Sequence, residues 1–224
     1  MNPYSHLVLA ARLEAQLNPE DPAEYYWGSV VPDVRYPAGM QRAKTHIPVE
    51  DILAFMAQYP QLKSFLQGYL VHCLADEILL QEIFFRRFPF FLLQGFLHRR
   101  HLTVLLEMYH FEQARMDRQV SGTYNEVLRR LGVSKAVSNA FAQSINQYAA
   151  TSSPQTRFAD FFKMMGMGND SRIQKYKASA QSFQNNRPLK SLLFYGIRSG
   201  RISEQIAETT LCLVREAQDV HSDG

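Results

Sequence analysis

Histidines and carboxylates recur through the first third of the chain, at His6, Asp33, His46 and the pair His72 and Asp76. Imidazole nitrogen and carboxylate oxygen are ligands that zinc accepts, in tetrahedral or slightly expanded geometry. His72 and Asp76 are four residues apart, so on a helix their side chains leave one face and converge. One turn of helix can therefore supply two ligands, and the pattern predicts a zinc site.

Five candidate ligands are more than one zinc ion needs. The surplus predicts a second metal that shares a bridging carboxylate, and paired metals about 3.5 to 4 Å apart suit phosphoester hydrolysis. A simpler interpretation stays open, because a buried histidine is usually a hydrogen-bonded core residue. The pair His72 and Asp76 alone does not decide between the two, since this spacing also occurs by chance in helices.

The bulk composition excludes several classes of protein. The chain has 224 residues, enough to bury a substantial core, and its net charge of +3 is too small to demand a polyanion. We expect no nucleic-acid partner, because the basic residues are not gathered over one long face. Cys73 and Cys212 lie far apart and form no CxxC motif, which argues against a thiolate zinc site and fits a reducing compartment.

Neither a membrane span nor a secretory signal is visible in the sequence. It holds no uninterrupted apolar run of about 18 residues. Its first residues lack the basic segment and following apolar segment of a signal peptide. We therefore expect a cytoplasmic protein.

Hydrophobic periodicity predicts an all-α protein, because few stretches alternate in the manner of a strand. We expect a single domain over residues 1–224, with a metal-binding helical core in 1–120 and further helices of unassigned role in 121–224. Ser5 is the predicted N-cap of the first helix. The predicted helices cover residues 5–17, 23–27, 48–58, 62–86, 96–120 and 202–218, with a folded loop over 30–47.

Several short segments follow one another in a recognisable order. They are His6 in a first helix, Gly28-Ser-Val-Val-Pro-Asp33, Thr45-His46, and Gly68-Tyr-Leu-Val-His72-Cys-Leu-Ala-Asp76-Glu. In this order they resemble the motifs of the zinc-dependent phospholipase C family, in its short bacterial branch. The likeness covers about residues 4 to 120. It includes Tyr109-His110 and Met116-Asp117-Arg118, which are similar to a later helix of that branch bearing a His and an Asp.

The resemblance implies a multi-helix bundle like the phospholipase C fold, in which zinc activates water for attack on a phosphodiester or phospholipid headgroup. Asp33 is the implied catalytic residue that orients or deprotonates the water, and Asp76 is the implied bridging carboxylate. The implied zinc ligands are His6, Asp33, His46, His72 and Asp76, with His110 and Asp117 as further candidates.

Two departures from the family pattern lower the expected number of ligands. The secreted enzymes use the amine of a mature N-terminal Trp, whereas this chain begins with Met1 and shows no signal to be cleaved, so one metal site is expected to be missing. The family's His shortly after the His-x3-Asp step is also absent, since none occurs between His72 and His98. We expect one to three zinc ions. The alternative is a non-catalytic helical protein that keeps the fold and binds a lipid or protein.

Residues 84–101 mix six phenylalanines with four arginines. This segment can act as an apolar wall with cationic rims, which predicts peripheral membrane contact through Phe84 to Phe91. The favoured alternative is a helix corner whose aromatic rings fill the core while the arginines reach water. Glu107 and His110 have the spacing of half a di-iron signature, but the second Glu-x-x-His is missing. Oligomerisation is left open.

Overall fold

The structure, a computed structural model, describes residues 1–86, 99–114, 116, 118–150, 174, 178, 181–183, 185–199 and 201–222. Every regular element within these residues is helical, which confirms the predicted all-α class. Asp117 lies outside the described residues, and so does most of the segment for which membrane contact is predicted. At its described beginning, Phe84 is buried and Phe85 is 52% exposed.

The helices are numbered here in chain order among the described residues. Two short 3-10 turns cover Val31–Arg35 and Pro60–Leu62, and a π-helical stretch, Leu79–Phe84, continues the fifth helix. The α-helices are α1 Pro3–Leu17, α2 Pro22–Val30, α3 Arg42–Thr45, α4 Val49–Gln58, α5 Lys63–Ile78, α6 Arg99–Gln113, α7 Glu126–Arg130, α8 Lys135–Ala150, α9 Arg187–Ser199 and α10 Ile202–Ser222.

The first helix begins earlier than its predicted N-cap. Helix α1 starts at Pro3 with Asn2 in the capping position, so the prediction of Ser5 as N-cap is wrong. Proline suits the first turn, because its fixed φ is helical and it lacks an N–H group that would have no partner there. Ser5 and His6 consequently lie inside the helix, one turn from its N-terminal end.

Helix α5 is the centre of the fold, and its apolar residues face neighbours on several sides. It packs against α1, α2, α4 and α10. A helix that is apolar nearly all round must be buried in this way. The C-terminal helix α10 also packs on α1, so residues from the second half of the chain complete the core of the first. None of the described helices is both long and apolar enough to cross a bilayer.

The closest helix contact is the crossing of α2 and α5, and two glycines make it possible. A Cβ atom built on Gly28 would overlap the carbonyl oxygen of Phe65, and one built on Gly68 would overlap the carbonyl oxygen of Tyr25. Glycine permits this approach because it has no Cβ. The crossing brings the backbone of α2 close to the side chains of α5 one turn beyond Gly68.

Candidate metal centre

Five of the predicted ligands come together between α1, the turn after α2, the end of α3 and α5. His6, Asp33 and His72 form one group, and His46, His72 and Asp76 form another. Within each group the candidate ligand atoms all lie within 4.8 Å of one another. His72 belongs to both groups, so the five residues form one continuous set, called here the histidine cluster.

His72 is held in one tautomer by the helix crossing. Its Nδ1 atom lies 2.8 Å from the carbonyl oxygen of Ser29 on α2. A carbonyl oxygen only accepts, so Nδ1 carries the hydrogen and the lone pair lies on Nε2, which faces Nε2 of His46, while the ring is neutral. Burial lowers the pKa of His72 well below its ordinary value, which keeps the ring neutral. An imidazole oriented through its other nitrogen by a carbonyl is the usual arrangement of a metal-binding histidine.

His6 is fully buried, and neither of its ring nitrogens has a hydrogen-bond partner. The ring stacks on His72 with 3.7 Å between centroids. Its Nε2 atom lies 3.3 Å from an Asp76 oxygen, but without hydrogen-bond geometry. Burial lowers the pKa of His6, so the ring is neutral. A buried polar group without a partner costs about 1 to 3 kcal/mol, and a bound cation would remove that cost.

His46 completes the group of three imidazoles. Its Nε2 atom lies 3.2 Å from Nε2 of His72 and 3.4 Å from an Asp76 oxygen. Burial, assisted by the positive charge of Arg42, lowers the pKa of His46 to about 2. Two neutral ring nitrogens that face each other and a carboxylate form a donor set for a transition metal.

The two carboxylates of the cluster have different surroundings. Asp33 is buried, and burial raises its pKa although the positive charge of Arg35 opposes this change. Asp76 accepts a hydrogen bond of 2.8 Å from Arg42 at one oxygen, and its other oxygen contacts the buried amino group of Met1. Its oxygens also lie close to His6 and to His46. Asp76 therefore reaches both sides of the cluster, and its bridging role stays a prediction.

The amino group of Met1 lies beside the cluster, although the sequence predicted no amine there. Burial lowers its pKa to about 5, while the negative charges of Asp33 and Glu107 oppose the change. This amino group contacts an oxygen of Asp76. The structure thus places a nitrogen atom beside the cluster, where the departure from the family pattern predicted none.

His110 does not join the histidine cluster. It lies on α6, where its Nδ1 atom is 2.9 Å from the hydroxyl of Ser5 and its Nε2 atom is 2.8 Å from the hydroxyl of Ser203. Both ring nitrogens are therefore already hydrogen-bonded. The seven-residue spacing from His110 to Asp117 allowed both to share a helix face, but α6 turns His110 toward α1 and α10 instead.

Glu107, one turn before His110, belongs to the same buried polar region. Its carboxylate accepts hydrogen bonds from the backbone N–H groups of Tyr4 and Ser5, from the Ser5 hydroxyl and from the Tyr148 hydroxyl. A carboxylate at a helix N-terminus is favourable, because the N–H groups there have no partner within the helix. Glu107 thereby fixes the start of α1. These residues, with His110 and Ser203, are called here the Glu107 network.

Two arginines at the cluster were not predicted from the sequence. Arg42 begins α3 and donates to Asp76, and the Nε atom of Arg35 lies 3.7 Å from an Asp33 oxygen. Both belong to the segment that was predicted as a folded loop carrying Asp33 and His46. Three guanidinium or carboxylate groups in this segment, those of Asp33, Arg35 and Arg42, were the available signal, but spacing in a loop does not show which groups are in contact.

Comparisons of the chain with family models, with curated proteins and with solved structures give no match. The chemistry of the cluster therefore has to be argued from its own donors. Three imidazoles and two carboxylates, with both nitrogens of His6 lacking partners, favour a metal ion that accepts nitrogen ligands over Mg²⁺ or Ca²⁺, which prefer oxygen ligands.

Proposed function

We propose that this protein is a zinc-dependent phosphoester hydrolase, as its resemblance to the zinc-dependent phospholipase C family implies. The observation that carries the proposal is the convergence of five separated residues, at 6, 33, 46, 72 and 76, on one set of three imidazoles and two carboxylates. Hydrogen bonding within the protein does not account for His6 in this set, because both of its ring nitrogens lack partners. The substrate would be a phosphoester or a phospholipid headgroup.

The residues that would hold zinc are the five members of the histidine cluster. When bound, zinc polarises a phosphoryl oxygen and lowers the pKa of a coordinated water toward about 7. The number of ions, between one and three, depends on how the two overlapping groups share His72.

Asp33 is the proposed catalytic residue. Its carboxylate is buried at the edge of the cluster, and burial raises its pKa. A carboxylate with a raised pKa is a better proton acceptor near neutral pH. Asp33 would orient the attacking water and hold its proton at one oxygen, while the carbonyl of Ser29 keeps His72 in the orientation that presents Nε2.

The proposal includes a single domain with a phospholipase C-like bundle. Its support is the packing of α10 on α5 and α1, which joins the second half of the chain to the helices that carry the cluster. In this view residues beyond 120 complete the core beneath the site.

A second candidate function is a non-catalytic helical protein that binds a lipid or a protein. The observation in its favour is that Asp76 already has two partners, the guanidinium of Arg42 and the amino group of Met1. A carboxylate satisfied in this way can be a structural residue of a polar core.

Zinc content and turnover separate the two functions. We expect purified protein to contain stoichiometric zinc by elemental analysis and to hydrolyse a chromogenic phosphodiester. His72→Ala is expected to lose both with its circular dichroism spectrum retained. His101→Ala, on α6 outside the cluster, is the control and should keep both. Stoichiometric zinc without turnover would favour the non-catalytic function, and absence of zinc would contradict the proposal.

A further inference from the structure

Arg42 occupies the boundary between the histidine cluster and solvent. Its Nη2 atom donates to an Asp76 oxygen at 2.8 Å. The Arg42 side chain is 46% exposed, whereas that of Asp76 is only 7% exposed. One end of this guanidinium therefore touches a candidate metal ligand while the rest of the side chain lies at the entrance to the cluster.

A metal ion and Arg42 would compete for the same carboxylate. The guanidinium is bound to Oδ2 of Asp76, and this oxygen also faces Nε2 of His46 at 3.4 Å. Two positive groups on one oxygen repel each other strongly where water is largely excluded. A cation entering between His46 and Asp76 must therefore weaken the hydrogen bond from Arg42 or displace it.

A second guanidinium, that of Arg35, lies beside Asp33. Arg35 is stacked on the ring of Tyr36, with 3.8 Å from its Cζ atom to the ring centroid. Its Nε atom is buried and has no hydrogen-bond partner, although an Asp33 oxygen lies 3.7 Å away. The held side chain thus keeps an unused N–H donor next to the proposed catalytic residue.

The charges of these groups favour an anionic ligand once a metal is present. Two carboxylates, Asp33 and Asp76, face two guanidiniums, those of Arg35 and Arg42. A divalent cation adds two positive charges to this balanced set. Guanidinium groups match the oxygens of a phosphate in geometry, because their planar donors bind two oxygens at once.

We propose that Arg42 is an exchangeable clamp, which holds Asp76 in the metal-free protein and binds the non-bridging oxygens of a phosphate in the metal-loaded one. Arg35 supplies the second donor through Nε. The inference rests on the proposed function and specifies its substrate class as a phosphate with at least two free oxygens. Phosphomonoesters, soluble phosphodiesters and lipid headgroups share this chemistry.

The test measures two affinities by calorimetry, that of zinc for the metal-free protein and that of inorganic phosphate for the zinc-loaded protein. For Arg42→Gln we expect zinc to bind about fivefold more tightly, because a competing cation is gone. We expect phosphate to bind about 10- to 100-fold more weakly, because a charge-assisted hydrogen bond is lost. These two opposite changes are the signature of an exchangeable group.

Arg130→Gln is the matched control. The side chain of Arg130 is 42% exposed and paired with Glu126, so it resembles Arg42 in exposure and pairing but lies on α7. It should leave both affinities unchanged. Arg42→Lys keeps the charge without the planar donors, so zinc affinity should stay near the wild-type value while phosphate affinity falls.

Dimethyl phosphate and a short-chain phosphatidylcholine, titrated beside inorganic phosphate, distinguish the sources of the phosphate group. All three ligands should bind more weakly to Arg42→Gln than to the wild type. The ligand that the wild type binds most tightly identifies the source of the phosphate group. Unchanged or weaker zinc binding by Arg42→Gln would overturn the inference and leave the hydrolase proposal standing. Absence of zinc binding by the wild type would overturn both. If Arg42→Gln shows both affinity changes but the wild type does not hydrolyse the phosphodiester, the result would support the role of Arg42 and contradict the hydrolase proposal.

Discussion

Two buried polar regions of this protein contain the same kinds of residue but differ in how far their histidines are hydrogen-bonded. The histidine cluster combines three imidazoles with two carboxylates, the Glu107 network combines one imidazole with one carboxylate, and both regions contact the first two turns of α1. In the network, both nitrogens of His110 are hydrogen-bonded. In the cluster, both nitrogens of His6 lack partners. The two regions therefore differ in whether their buried ring nitrogens have hydrogen-bond partners and not in residue type. Satisfied nitrogens indicate a structural region, and nitrogens without partners indicate a candidate binding site.

The hydrogens of the Glu107 network can be assigned in one consistent order. Ser5 donates its hydroxyl hydrogen to Glu107, so its oxygen is free to accept from Nδ1–H of His110. Nε2 of the neutral ring then accepts from the hydroxyl of Ser203. These hydrogen bonds form a linear series from Ser203 through His110 and Ser5 to Glu107, and both ring nitrogens of His110 take part in it.

The largest expected effect is stabilisation of the histidine cluster by zinc. At a free zinc concentration of about 1,000 times the dissociation constant, the free energy of unfolding should rise by about 4 kcal/mol. Calorimetric melting with zinc and with a chelator measures this difference. His72→Ala should abolish it, while Arg130→Gln should keep it. An equal response in His72→Ala would place the zinc elsewhere and remove the contrast between the two regions.

Removing the carboxylate of the Glu107 network should cost almost as much stability. Glu107→Ala leaves four donors without an acceptor, and we expect the free energy of unfolding to fall by about 3 to 4 kcal/mol. Urea denaturation of the metal-free protein measures the loss. Glu107→Gln keeps one acceptor oxygen and should lose less. A change below about 1 kcal/mol in Glu107→Ala would contradict the structural role of this network.

The same substitution in the two regions should have different effects. His110→Leu removes the hydrogen bonds that the ring makes to the hydroxyls of Ser5 and Ser203, and it should lower the free energy of unfolding by about 2 kcal/mol. His6→Leu removes two nitrogens that have no partner, so the metal-free protein should change by less than about 1 kcal/mol while zinc binding is lost. Chemical denaturation and zinc titration of both variants make the comparison. Equal losses of stability would remove the distinction.

The smallest expected effect is a pH dependence from His110. Burial lowers its pKa to about 3. Between pH 3 and 6.5 the unfolded chain therefore binds a proton at this residue that the folded protein does not, so stability falls as the pH falls. The contribution between pH 6.5 and 5.5 is about 1 kcal/mol. The contribution of His110 is measured by comparing the free energy of unfolding of His110→Gln and of the wild type as a function of pH. Identical slopes of free energy against pH would exclude it.

The helices were predictable from the sequence where the signal is local. The apolar runs of α5 and α10 predicted buried and amphipathic helices, and both occur near the expected positions. The predicted helix over residues 23–27 stops before Gly28, whereas α2 continues through Gly28 to Val30. A glycine inside a helix is explained by a second backbone passing close to it, and this depends on a partner forty residues away.

The candidate site was predictable in its residue types but not in its connections. His72 and Asp76 share one helix face, and the order of motifs indicated the other three members of the histidine cluster. The contact between Arg42 and Asp76 joins residues 34 positions apart, so no spacing rule shows it. The partners of His110 were hidden for the same reason, because Ser203 lies on α10.

The close crossing of α2 and α5 has a consequence for how this protein can vary. Gly28 and Gly68 carry no functional group, yet their missing side chains let the Ser29 carbonyl reach His72 and select its tautomer. A methyl group at either position would push the two backbones apart and release that ring to rotate. Substitutions at these two positions are therefore expected to be poorly tolerated for reasons of donor orientation as well as of folding.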